Sequence, residues 1–274
     1  MLKKRIITVL LLVPPLLAAL YYLPPLGIAV MFGVFMAVGA WEWAALSGLS
    51  GAHRIGYVVL VIALGIAALM AAFRIPYVDK ILLAVAGLWW LYALFELQRD
   101  ADSVYHSRRG RLIAGLLVLI PTWVAASVLH AADPHRPNAL LFILVLVALA
   151  DSGAYAAGHA FGRTKLAPSI SPGKTVEGVA GGLLAVLLLA YFCGTMVWQF
   201  QGAVLGAWML LAAVTALVSV VGDLAESKVK RVAGVKDSGN LLPGHGGVLD
   251  RVDAITAAAP VFTLGWLLWF GVRT

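Results

Sequence analysis

Apolar residues run through this chain in blocks of about 20, separated by short stretches rich in charge, glycine and proline. The blocks fall at 6–23, 26–46, 55–73, 81–97, 112–130, 139–162, 176–198, 203–222 and 252–270. A run of that length is what a helix needs to cross the ~30 Å hydrocarbon core of a bilayer. The pattern predicts an all-α membrane protein, a polytopic bundle of about nine transmembrane helices. Pro14-Pro15 and Pro24-Pro25 are expected to bend or end the first of them. That first block follows Lys3, Lys4 and Arg5, as in a signal peptide, but no small-x-small cleavage site closes it. It reads as a retained span.

Composition supports this class. Of 274 residues, 62% are hydrophobic and 12% charged, about half the ~25% charged usual for soluble domains. No stretch between blocks has room for a soluble domain, so one integral membrane domain is expected. The net charge of +7 would suit a nucleic-acid binder, but its distribution argues otherwise. With the N-terminus in the cytoplasm, segments 1–5, 47–54, 98–111, 163–175 and 223–251 share one side and hold 16 of the 20 Lys and Arg. Such an excess is the positive-inside bias. It removes nucleic acid as a partner and leaves anionic membrane lipids. The single cysteine, Cys193, lies inside an apolar block. It excludes an intrachain disulfide framework or a multi-cysteine metal site and reads as a small buried hydrophobe.

Two halves differ in kind. Residues 1–138 hold about five spans with short loops, and few polar residues intrude. Glu42, between Trp41 and Trp43, and Glu96 read as buried functional carboxylates or, as the simpler alternative near the interface, as snorkelling or helix-paired acids. Residues 139–274 hold about four spans, two cytoplasmic loops and the candidate chemistry. No repeat relates the halves, so the inverted-repeat mark of many transporters is missing.

Asp151, Tyr155 and His159 recur at i, i+4 and i+8, on one helical face, with Gly153 and Gly158 allowing close helix packing. An aspartate within a span is costly, so something polar must face it; an interhelical hydrogen-bond network is the structural alternative. The adjoining loop carries Ser171, Gly173, Lys174, Thr175 and Glu177. GKT suggests a phosphate-binding P-loop, but that motif needs glycine where Pro168 stands and a preceding strand. A Pro-Gly turn opening a helix at about Thr175 still makes a phosphate seat.

The densest polar stretch is 222–253, with eleven ionisable groups between two apolar blocks. The eighth span is expected to continue as helix to about Arg231. Asp223, Glu226, Ser227, Lys230 and Arg231 then share a face, with acids at the membrane end and bases two turns out. Asp250 and Asp253 are spaced i, i+3 where the ninth helix begins; capping is the structural alternative for this pair. Asp223, Asp250 and Asp253, converging from two helix ends, suit a hard cation such as Mg²⁺. His245 alone makes no zinc site. Lys228, Lys230, Arg231, Lys236 and Arg251 surround the acids, and the PGHGG glycines let backbone N–H groups approach an anion. Acids, bases and exposed donors together describe phosphoryl or nucleotidyl transfer.

The segment SKVKRVAGVKDSGNLLPGHGGVLDRVD resembles the signature of the phosphatidate cytidylyltransferases, also called CDP-diacylglycerol synthases. Its fixed positions are Ser227, Lys230, Arg231, Lys236, Asp237, Gly239, Pro243, His245, Gly246, Gly247, Asp250, Arg251 and Asp253. GDLAES, SPGKTVEG and ADSGAYAAGHAFG are similar to that family too, so the likeness covers about 139–260 and is vaguer before it. The resemblance implies a Mg²⁺-dependent nucleotidyltransferase of phospholipid biosynthesis. It converts CTP and phosphatidic acid to CDP-diacylglycerol and pyrophosphate, with room for a second cation. Asp223 and Asp250, with Asp253 second, are then the metal ligands. Lys230, Arg231, Lys236 and Arg251 clamp phosphate oxygens, and His245 serves the departing pyrophosphate. Lys174, Ser171 and Thr175 hold the nucleotide, and Asp151 and Tyr155 line the same cavity. Ser227, Asp237, Gly246 and Gly247 complete the substrate-binding set. A homodimer in a bacterial inner membrane, with the site facing the cytoplasm, is also implied.

Overall fold

The structure is a computed structural model and describes residues 13–99, 103–133, 137–241 and 246–270. Helices dominate: α1 (Val13–Tyr22), α2 (Pro25–Leu46), α3 (Gly51–Arg74), α4 (Val78–Glu96), α5 (Arg108–Ala132), α6 (Asn138–Phe161), α7 (Val176–Met196), α8 (Gly202–Val232) and α9 (Leu249–Trp269). Eight of these, α2 to α9, are long and apolar enough to cross a membrane. The beginning of the first expected span, with Lys3, Lys4 and Arg5, lies outside the described residues, as do Pro243 and His245. Pro24 caps α2 and Pro25 opens it, where a missing N–H costs nothing.

One departure from an all-helical chain is a small antiparallel hairpin between α6 and α7, β1 (Lys165–Ala167) with β2 (Ser171–Thr175). Lys165 pairs with Thr175 and Ala167 with Ser171. The expected Pro-Gly turn is thus part of a strand. Thr175 still opens α7 as expected, its Oγ1 accepting from Gly178 N at 3.1 Å.

At 31 residues α8 is the longest helix, about 46 Å at 1.5 Å per residue. It outruns the hydrocarbon core, and its last turns, from Asp223 onward, carry the charge. α6 and α7 approach closely through small residues. A Cβ on Gly182 would lie 2.5 Å from the Ala150 carbonyl oxygen, and one on Gly181 2.2 Å from the Ala157 Cβ. Gly182→Leu should therefore force these helices apart and lower stability by about 1–3 kcal/mol, read as a drop in melting temperature in detergent.

At the opposite end, Phe142 of α6, Trp208 of α8 and Phe262 and Trp266 of α9 form an aromatic cluster, and Trp208 Nε1 donates to the Ala190 carbonyl of α7 at 2.8 Å. This fixes one end of the α6–α9 group and leaves the other free for polar groups. α9 also packs on α4 and α5, so the N-terminal helices reach the segment that opens α9.

Candidate active site

At the charged end, α6, α7, α8 and the hairpin enclose a cavity of about 370 Å³. Asp151, Tyr155, Ser171, Lys174, Thr175 and Asp223 all line it, so six separately expected residues converge on one space. Its inner wall is small or aliphatic: Ala150, Ala154, Gly178, Gly182, Ala216 and Val220. Lys174 Nζ meets Asp223 Oδ2 at 2.6 Å, both side chains about a quarter exposed, and Ser227 Oγ donates to Asp223 Oδ1 at 3.3 Å. Tyr155 is largely exposed and stacks on His159 with rings 6.1 Å apart. The Thr175 hydroxyl is buried and engaged in capping α7; Lys174 is the β2 residue that presents a charged group to the cavity.

Asp253 lies within electrostatic reach of Asp223 and Asp151. Asp151 and Asp223, from α6 and α8, place negative charge beside Lys174. Asp250 is held elsewhere. Its Oδ1 accepts from Lys230 Nζ at 2.6 Å, and its Oδ2 accepts from Ser238 N, Ser238 Oγ and Gly247 N at 2.9, 3.0 and 2.8 Å. Lys230 Nζ also pairs with Glu226 Oε1 at 3.1 Å. Among the described residues no three Asp, Glu, His or Cys side chains are close enough to hold a metal ion together. Asp253 lies between the two groups, within electrostatic reach of Asp223 and also of Lys230 and Glu226, while Asp250 is held by Lys230 and the glycine loop.

The remaining bases divide. Arg231 reaches the hairpin, its Nε donating to the Ile170 carbonyl at 3.3 Å. Lys236, Asp237 and Arg251 are exposed on the same end of the bundle, and Gly246 takes the left-handed conformation at φ +82°. Lys228 is a correction: it is buried, and its Nζ donates to the carbonyls of Glu96 and Arg99, tying α4 to α8 rather than facing the acids.

For Glu42 and Glu96 the snorkelling alternative falls, since both are buried. Glu96 accepts from Val104 N at 2.8 Å and from Arg99 at 3.1 Å, fixing the loop after α4. Glu42 reaches from α2 into the segment that opens α9, accepting from Val248 N at 3.0 Å and Leu249 N at 2.8 Å. An acid between two tryptophans gave no sign of these distant partners.

Residues 3–268 match the profile of the Cytidylyltransferase family. The chain belongs to that family. A Pseudomonas aeruginosa relative named phosphatidate cytidylyltransferase is 43% identical over 272 residues, spanning 98% of this chain and 97% of its own. A Haemophilus influenzae protein of the same name is 36% identical over 96% of this chain and 98% of its own. A Bacillus subtilis protein of that name is 44% identical over 47% of each chain. For a cytidylyltransferase, a cavity pairing acids with lysine at the charged end of apolar helices is apt.

Proposed function

We propose that this cytidylyltransferase transfers CMP from CTP to phosphatidic acid, yielding CDP-diacylglycerol and pyrophosphate. The observation that carries the reading is the cavity of Asp151, Lys174 and Asp223 at the polar end of apolar helices. A phosphate oxygen of phosphatidic acid attacks the α-phosphorus of CTP; the new P–O bond forms as the bond to the β-phosphate oxygen breaks, and pyrophosphate leaves. That nucleophile has a second pKa near ~6 and needs no strong general base. The harder task is to bring two polyanions together and neutralise the leaving charge. Lys174 serves this at the cavity wall, while Arg231, Lys236 and Arg251 supply further positive charge and Lys230 holds Asp250. The acyl chains remain in lipid.

Asp223 on α8 and Asp253 on α9 offer carboxylate oxygens, the donor chemistry of a hard cation that takes one or two carboxylates and shares the substrate's phosphates. Mg²⁺ would be held by Asp223 and Asp253, with Asp250 as the third ligand that the sequence suggests, and would neutralise phosphate charge when bound. The basic bias of one set of loops supports a cytoplasmic N-terminus and a cytoplasmic site, in the inner membrane of a bacterium such as the relatives come from. A homodimer is part of the same reading.

Protein purified in detergent and given labelled CTP, phosphatidic acid and Mg²⁺ should form CDP-diacylglycerol and release pyrophosphate. Failure to form either product would sink the reading, and anion flux into liposomes without CTP would replace it with transport. Chelation with EDTA should stop turnover by at least ~10²-fold, and added Mg²⁺ should restore it; full activity in EDTA would remove the metal from the reaction.

A further inference from the structure

The Ser238 hydroxyl stands between two carboxylates from opposite halves of the chain, with Oγ 3.1 Å from Glu42 Oε2 and 3.0 Å from Asp250 Oδ2. A hydroxyl has one proton to donate, so these acids compete for it, and a change at Glu42 alters the hydrogen bonding of Asp250 directly. The remaining capacity of Glu42 goes to α9. The first N–H groups of a helix lack internal partners, and α9 has no side-chain cap at Val248. Glu42 supplies that cap from 206 residues away, with a negative charge suited to the positive end of the helix.

The loop is also shaped around this carboxylate. A Cβ on Gly239 or on Gly247 would lie 2.6 Å from a Glu42 oxygen, so both positions have backbone where a side chain would collide. Gly247 N in turn donates to Asp250. A continuous polar string thus runs Glu42, Ser238, Asp250, Lys230, Glu226, across α2, the loop, α9 and α8.

We infer that Glu42 is a positioning residue for nucleotidyl transfer: through Ser238 and the first turn of α9 it sets where Asp250 and the glycine N–H groups sit. The inference rests on the function proposed above. Its consequence is catalytic because misplacement by about 1 Å, even from a remote change, costs on the order of 10²-fold in rate. Glu96 supplies the comparison. It is equally buried and also holds a loop N–H, but its partners Val104 and Arg99 are not in the string.

The test uses the full chain in detergent as wild type, Glu42→Gln, Ser238→Ala, the double variant and Glu96→Gln. It measures kcat, KM for both substrates and melting temperature. Glu42→Gln should lower kcat tenfold or more with both KM values within twofold. Ser238→Ala should also lower kcat, and the double variant should be no worse than Glu42→Gln, since coupled neighbours are not additive. Glu96→Gln should lose comparable melting temperature yet keep kcat near wild type. Wild-type kcat in Glu42→Gln, or an equal kcat loss in Glu96→Gln, would overturn the inference. Should Glu42→Gln not fold, Ser238→Ala decides, and wild-type kcat there overturns it. An inactive wild type would instead count against the proposed function, so the two failures are distinct.

Discussion

Asp223→Asn is expected to lower turnover by ~10²–10³-fold while leaving the protein folded. The substitution keeps the shape and an acceptor for Ser227 but removes the charge that faces Lys174 at 2.6 Å and stands beside Asp253. Little stability should go with it. Both members of the Lys174–Asp223 pair are about a quarter exposed, and partly solvated pairs contribute only ~0–1 kcal/mol. Initial rates of pyrophosphate release, set against thermal melts of the same preparations, check both halves. A near-normal rate would remove Asp223 from the reaction. A collapse in melting temperature would mean that its role is structural.

The difference between the site's two acid groups was hard to read in the sequence. Periodicity placed Asp223, Glu226 and Lys230 on one face of α8 and extended that helix to about Arg231, and α8 ends at Val232. The convergence of 151–175 on Asp223 was legible because Asp151 and Tyr155 share one face of α6 and the short connection to α7 brings Ser171, Lys174 and Thr175 back beside that face. Asp250 could not be resolved that way. Its partners are chosen by how the loop folds back, and a spacing of three from Asp253 fits a cap, a metal ligand or an ion pair equally well.

Glu42 shows the same limit more strongly. Its environment is built by Ser238, Val248 and Leu249, contacts that no local pattern encodes. The helix blocks were legible because burial in lipid is written residue by residue in hydropathy. The hairpin was not, since strands of three and five residues around Pro172 and Gly173 carry no usable alternation. Lys228 was misplaced because charge alone does not say which face of α8 meets α4.

Lys230→Met should have the opposite profile from Asp223→Asn, with a large loss of stability accompanying the loss of activity. The Lys230 side chain is 9% exposed, and its partners Glu226 and Asp250 are 4% and 7% exposed. Removing the ammonium leaves two buried carboxylates without their shared cation. Breaking a buried pair in this way costs about 3–5 kcal/mol. Adding Glu226→Leu should recover much of the stability, because an apolar pair of similar volume needs no counter-charge. It should not recover turnover, since Asp250 would still lack the group that holds its Oδ1. Melting curves and initial rates for the single and double variants separate the two effects. Stability of Lys230→Met equal to wild type would show that the buried pair contributes nothing to the fold. Full activity in the double variant would show that Asp250 acts without Lys230.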